Sequence, residues 1–348
     1  MPRQPAPLPS ELGDAFTRAD ALAAGAAPGR LRAKDLESPF HGVHQRVEPK
    51  TKAQNGADPG EEAGSPDRAG PTADTEKPLA RDRAARKVVL RRARAYREVM
   101  AGHAFFVGRT AAVIYGCTVA HGTDLEVGVR APSRAPRGRG IRGIKVSPAL
   151  VNVREHEGLR VSSAASTWAM LGRELSMREL VVVGDAIVKI PRDHRGRLQP
   201  KQQLATIEQL GRAVGAGHRR GVATLRAALT LIRVGSSSPL ETEYRLDAAA
   251  AGLPEPELDM EIRDTAGSLC GITEIVYPEY RTLVEIEGDH HRTDQKQWDR
   301  DIEKYAAYVA EGWEVVRLTS RHIRGPHARA VPIVRDVLKR RGWRADAG

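Results

Sequence analysis

Cysteine is nearly absent from this 348-residue chain: Cys117 and Cys270 are the two present, and they lie far apart. That excludes a disulfide framework and a cysteine-based zinc site. No apolar run reaches membrane length, and the first residues lack the hydrophobic region of a signal peptide, so a soluble, cytoplasmic protein with no membrane partner is expected. There is no P-loop, no dinucleotide fingerprint and no internal repeat, which argues against an ATP-driven or redox enzyme. From Lys50 to Ala80 Leu79 is the sole large apolar side chain, so residues 50–80 are expected to be a disordered linker. Acidic residues are missing from Val127 to Arg154.

What is there is basic. Lys and Arg number 55 against 44 Asp and Glu, a net charge of +11, which points to a polyanion such as DNA as partner. In the acid-free stretch stand Arg130, Arg134, Arg137, Arg139, Arg142, Lys145 and Arg154, interleaved with Pro132, Pro136, Gly138, Gly140 and Gly143. This composition predicts a loop or hairpin tip able to follow a phosphate backbone. Arg134, Arg137, Arg139, Arg142 and Lys145 are the candidate nucleic-acid contacts; a merely solvated loop is the alternative.

The densest chemistry lies at Leu283-Val284-Glu285-Ile286-Glu287-Gly288-Asp289-His290-His291. In an extended segment alternate side chains share a face, so Glu285 and Glu287 project together with Cα atoms roughly 7 Å apart. A preceding strand, Ser268 to Val276, is joined to this one by Tyr277-Pro278-Glu279-Tyr280, read as a four-residue hairpin loop. That loop predicts Val276 opposite Arg281 and Glu274 opposite Leu283, which makes Glu274 the diagonal neighbour of Glu285. Three converging carboxylates would repel one another unless they shared a hard cation such as Mg²⁺ or Mn²⁺. An edge strand carrying solvated acids is the alternative.

Around these strands the pattern predicts a small α/β unit. Ser238-Pro239-Leu240-Glu241 opens a helix with an N-cap, a first-turn proline and a capping-box glutamate, and Gly252-Leu253-Pro254 closes it. Strands are predicted at about 257–263, 268–276 and 281–287. A helix follows over about 294–311 with Trp298, Ile302, Tyr305 and Val309 on one apolar stripe, then a strand at 313–319 and a basic helix at 327–341. The order is α, β, β, β, α, β, α.

That order, with Ser238-Pro239-Leu240-Glu241-Thr242-Glu243-Tyr244-Arg245, Ala251-Gly252-Leu253-Pro254-Glu255-Pro256, Glu274-Ile275-Val276-Tyr277-Pro278-Glu279, Val284 to Arg292, Arg300-Asp301 and Glu311 to Arg317, resembles the PD-(D/E)xK restriction-endonuclease fold. Within it the chain looks like the branch related to very-short-patch-repair endonucleases. The resemblance implies a metal-dependent DNA endonuclease with Glu274, Glu285, Glu287, His291 and Glu241 in its site, and Mg²⁺ or Mn²⁺ held by Glu274 and Glu285. Glu287 would hold the ion or orient the water, and His291, with His290 as the alternative, would assist at the phosphate. Glu274 and Glu287 stand where the family usually has aspartates, and no lysine occupies the third motif position. Glu241 serves equally well as a helix cap or as an outer member of the site; Asp301 and Lys304 fit a surface pair, with a supporting role in the site as the alternative for Asp301.

At the N-terminus, Phe16 to Gly25 reads as a short capped helix, a second is expected at about Ala27 to Leu36, and Pro39-Phe40-His41-Gly42-Val43 starts a strand. A helix-turn-helix with a wing is consistent with this. The segment is similar to the N-terminal domain of AbiEi-type antitoxins, which act as DNA-binding regulators. The expected architecture is therefore α/β overall: a winged-helix-like segment at 1–49, the linker, an α+β middle region with the basic loop at 81–233, and an endonuclease-like domain at 234–348. Asp185, on an apolar middle-region helix, has no partner legible in sequence and reads as surface or packing. Two functions follow, an endonuclease of DNA repair or defence and a non-catalytic DNA-binding regulator or antitoxin whose nuclease-like domain has lost its chemistry. A toxin or a repair protein is the kind of partner these resemblances imply.

Overall fold

A computed structural model describes residues 5–48, 78–287, 295–324 and 327–345. Most of the linker expected at 50–80, and His290 and His291, lie outside them. The protein is mixed α/β, with three sheets among the described residues.

The N-terminal segment comprises β1 (Ala15–Thr17), α1 (Arg18–Ala23), a 3-10 turn at Pro28–Arg32, β2 (Leu36–Phe40) and β3 (Val43–Arg46), with sheet order β1-β3-β2. Thr17 and Asp20 cap α1 reciprocally, each accepting the other's amide at 3.1 Å. The second helix expected here is only the five-residue 3-10 turn, because Leu36 onward pairs with β3 as strand.

The middle region begins with α2 (Pro78–Arg97), β4 (Phe105–Phe106), α3 (Gly108–Ile114), β5 (Leu125–Arg130), β6 (Ile141–Val146), β7 (Val153–His156) and β8 (Leu159–Ser162), whose sheet runs β6-β5-β4-β8-β7. Helix α2 buries Val89, Leu90, Ala93 and Ala95 on this sheet, and its Arg91 pairs with Glu37 at 2.8 Å, joining the N-terminal segment to it. Strands β5 and β6 are parallel, Leu125 opposite Ile141, so residues 131–140 form a crossover and not the tip of a hairpin. Four helices follow: α4 (Ala164–Leu171), α5 (Met177–Val188), α6 (Ile207–Gly215) and α7 (Val222–Leu231). Ser176 and Glu179 cap α5, Thr206 and Gln209 cap α6, and the helices share a core around Trp168, Leu180 and Leu225.

The C-terminal region runs α8 (Pro239–Ala250), β9 (Glu257–Arg263), β10 (Leu269–Tyr277), β11 (Thr282–Glu287), α9 (Gln295–Ala310), β12 (Glu314–Thr319), α10 (Ser320–Arg324) and α11 (Ala330–Arg340). Its sheet order is β12-β11-β10-β9, with β11 and β12 parallel and the other pairs antiparallel. One face buries Ile275, Tyr277, Val284 and Ile286 against α8 and α11; the other buries Val276 and Leu283 with Tyr308 of α9. Helix α8 also sends Leu246 into the core of the middle-region helices, so it belongs to both bodies.

Two local expectations are corrected. Thr282 pairs with Tyr277 and Leu283 with Val276, which moves the four-residue loop one place along, to 278–281. The reason is a 3-10 turn over Pro278–Tyr280 closed by Arg281 in the left-handed region, φ +43°. On α9 the inward stripe is not Ile302 and Val309, which are 52% and 63% exposed, but a polar one of Lys304, Tyr305 and Tyr308.

Candidate functional site

Extending the observed β10–β11 register sets Glu274 directly opposite Glu285 rather than diagonal to it. Regular pairing stops at Ile275–Val284, and the Glu274 carboxylate fills the opening: its Oε2 accepts the Ile286 N–H at 3.1 Å. Glu274 is driven up to about 8 by burial, then by repulsion from Glu241 and Glu285, against the pull of the Ile286 amide and Lys304. Glu285, buried, accepts from Lys304 Nζ at 2.9 Å.

Glu241 is brought to the same place by α8. Ser238 Oγ accepts the Glu241 amide at 3.3 Å, while Glu241 Oε2 accepts the amide of Ser237 at 2.5 Å, one residue beyond the reciprocal capping box. The side chain is buried, which pushes Glu241 up to about 7 against the hydrogen bonds of Ser237 and Ser238 and the charge of Lys189. Glu241 therefore caps its helix and also repels Glu274.

Glu287 is placed elsewhere. It pairs with Arg317 on the neighbouring strand, and Arg317 in turn lies 5.0 Å from the Tyr305 ring centroid. The acids that act on Glu274 are Glu241 and Glu285, not Glu287. His291 lies outside the described residues. Among the described residues no three His, Cys, Asp or Glu side chains are arranged to hold a metal ion together. A donor set here is the pair Glu274 and Glu285, each with one oxygen engaged and the other making no hydrogen bond to a described residue.

Lys304 is not the surface partner its spacing suggested. It reaches the carboxylates because α9 approaches β10 at Gly271, where a Cβ would sit against Tyr308 Oη and 3.1 Å from Lys304 Cγ. Tyr308 Oη accepts from Thr273 Oγ1 at 3.0 Å, which fixes the helix over the strand. A glycine inside a strand is the sequence signal of such an approach.

On the middle region, Arg134, Arg137, Arg139 and Lys145 are exposed and make no ion pair with another described residue. Arg142, also exposed, is paired within the fold, 2.8 Å from buried Glu126 and 3.8 Å from Glu174. The crossover that carries Arg134, Arg137 and Arg139 folds back on β6, with the Pro136 carbonyl against Gly143.

Asp185 is not on a surface: it is 1% exposed and accepts from Arg245 Nη2, Thr242 Oγ1 and the Arg233 amide, each at 2.8 Å. Burial nonetheless raises its pKa, with Arg245 opposing. Arg178 adds a two-pronged pair to Asp247 at 2.6 and 2.9 Å, so α5 is bound to α8 along its length. Both cysteines are free thiols, and no described helix is long and apolar enough to cross a membrane.

No protein-family model matches this chain, and no solved structure matches it. It is similar to an uncharacterized protein found in two strains of Mycobacterium tuberculosis, 26% identical over 226 residues in each, which covers 65% of this chain and 78% of the relative.

Proposed function

We propose that the protein is a metal-dependent DNA endonuclease of the restriction-endonuclease-like fold, using Mg²⁺ or Mn²⁺. The observation that carries this reading is the meeting of Glu274, Glu285 and Lys304 at the break in the central strands. Burial and repulsion from Glu241 and Glu285 drive Glu274 toward protonation, which a hard cation shared with Glu285 would relieve, and each of the two has an oxygen that makes no hydrogen bond to a described residue. When bound, the ion supplies Lewis-acid charge neutralisation at a phosphate oxygen. Glu274 and Glu285 would hold it, the first oriented by the Ile286 amide and the second by Lys304. Lys304 Nζ, beside Glu285, would donate to a scissile phosphate. Glu241 stands behind Glu274, and His291 remains a candidate general acid. The exposed cations Arg134, Arg137, Arg139 and Lys145 suit phosphate contacts along a duplex.

A second reading, a DNA-binding regulator of antitoxin type with an inactive nuclease-like domain, is favoured by one observation: Glu287 is paired with Arg317 rather than turned to the other acids. Cleavage of supercoiled, mismatched and single-stranded DNA with Mg²⁺ or Mn²⁺ separates the two, comparing wild type with Glu285→Ala. Metal-dependent cutting lost in Glu285→Ala is the expected result. No cutting by either protein, with retained salt-sensitive DNA binding, supports the regulator.

A further inference from the structure

The segment between α5 and α6 carries a short hairpin onto the C-terminal sheet. Arg192 and Leu198 form its bridge, and Asp193 accepts the amides of Arg195 and Arg197 at 2.9 and 3.0 Å, which stiffens the turn. Its Gly196 comes so close to β10 that a Cβ would lie 2.9 Å from Ile272 Cδ1. Arg192 is the hairpin's grip on β9. Its Nε lies 2.9 Å from both carboxylate oxygens of Asp259, its Nη2 2.8 Å from the Asp259 carbonyl oxygen, and its Nη1 2.5 Å from the Gly196 carbonyl and 3.3 Å from Glu261. With side-chain exposures of 16% and 21%, Arg192 and Asp259 form a mostly buried pair.

What is gripped is a strained residue. Asp259 has φ +54° within a strand, in the left-handed region that side chains rarely adopt there. The β9–β10 ladder skips it and the residue facing it, which is Glu274: Met260 pairs with Thr273, and Leu258 with Ile275. On one side of the skip Met260 and Thr273 face Tyr308 of α9; on the other, Leu258 and Ile275 face the core under α8 and α11. Residues two apart on a regular strand share a face. The ribbon therefore rolls over between them, and the roll takes Glu274 off both faces and sends its carboxylate into the opening beside Ile286.

We infer that Arg192 is a positioning residue of the carboxylate site: by holding Asp259 in the left-handed conformation, the middle-region hairpin fixes the roll of β10 that aims Glu274 at Glu285. The site is then composite, completed by a residue outside the αβββαβα unit. The metal-binding consequence rests on the nuclease reading; the conformational one does not.

The test uses the full chain and two readouts, the NMR contact between Thr273 and the Tyr308 side chain, whose hydroxyl oxygens lie 3.0 Å apart, recorded without metal, and Mn²⁺ affinity by calorimetry. Arg192→Ala is expected to lose the contact and to weaken Mn²⁺ binding about 10-fold or more, the usual cost of losing a partner that orients a metal ligand. Arg192→Ala with Asp259→Gly is expected to recover both, because glycine takes a positive φ without a clamp. If Arg192→Ala does not fold, Arg192→Lys is measured in its place, since it keeps the charge and loses the fork to the Asp259 carbonyl. Retention of the Thr273–Tyr308 contact in the single variant, or its absence from a folded double variant, overturns the inference. A wild type that binds no Mn²⁺ overturns the metal reading alone and leaves the NMR contact to decide the role of Arg192.

Discussion

Lys304 Nζ lies 2.9 Å from Glu285 Oε1, so a cation from α9 sits on the acid of the central strand. Removing it with Lys304→Met leaves a buried carboxylate without its partner, which in such settings costs about 3–5 kcal/mol. The variant is expected to be less stable without metal and to gain more thermal stability than wild type on adding Mn²⁺, because the ion takes the place of the lost charge. On the nuclease reading, DNA cleavage is expected to fall in Lys304→Met even where the ion binds. Differential scanning fluorimetry with and without Mn²⁺, beside a cleavage assay, checks both. Equal Mn²⁺ stabilisation of the two proteins contradicts the placement of the ion at Glu285.

Glu274 imposes a pH dependence whose sign follows from its environment. An ordinary glutamate titrates near 4.5, and the folded protein holds this one at about 8. Between those values the folded state keeps a proton that the unfolded state has released, so folding stability declines as pH rises through that window. Glu241, at about 7, adds to the decline over the lower part of the window. Glu274→Gln is expected to flatten the profile, raising the melting temperature at pH 8.5 by ~2 °C or more while changing little at pH 4.5. On the nuclease reading, divalent ions are expected to bind the wild type more tightly as pH rises, since the proton must leave first. Melting curves in metal-free buffers across this range decide the point.

The capping signals at Ser238, the element order of the C-terminal region and the shared face of alternate acids were all legible in the sequence, because each rests on neighbours within a few positions. What was not legible depended on partners far away or on backbone that residue type does not announce. Arg281 in the left-handed region shifted the hairpin by one residue, and Asp259 at positive φ rolled β10 over at Glu274. On α9 the sheet offers a hydroxyl at Thr273 and a carboxylate at Glu285, so Tyr308 and Lys304 turn inward where apolar periodicity favoured Ile302 and Val309. Glu287 found Arg317 across a parallel pair that no local pattern signals.

Asp185 and Arg245 form a pair that is 1% and 5% exposed, joining α5 to α8. Asp185→Asn leaves the guanidinium charge buried, and a loss of about 3–5 kcal/mol is expected in urea denaturation. Replacing both, as Asp185→Leu with Arg245→Met, removes the charges together and is expected to be less damaging than either single change. A double variant as unstable as the sum of the singles denies the coupling.

Gly271 is the point on which the position of Lys304 depends. A methyl group there meets Tyr308 Oη and the Lys304 chain, so Gly271→Ala must push α9 outward, at about 1–3 kcal/mol for an overpacked site. The displacement lengthens the Lys304–Glu285 contact, and cleavage should fall with stability. Tyr308→Phe alone removes the oxygen that Thr273 Oγ1 bonds and costs about 1 kcal/mol. Together the two changes are expected to cost less than their sum, because the atom that the new methyl meets is gone. A thermodynamic cycle over the four proteins reads this directly, and recovery of cleavage in the double variant over Gly271→Ala ties the rescue to Lys304. Strict additivity would mean that α9 is held away from β10 and that Lys304 reaches Glu285 by another route.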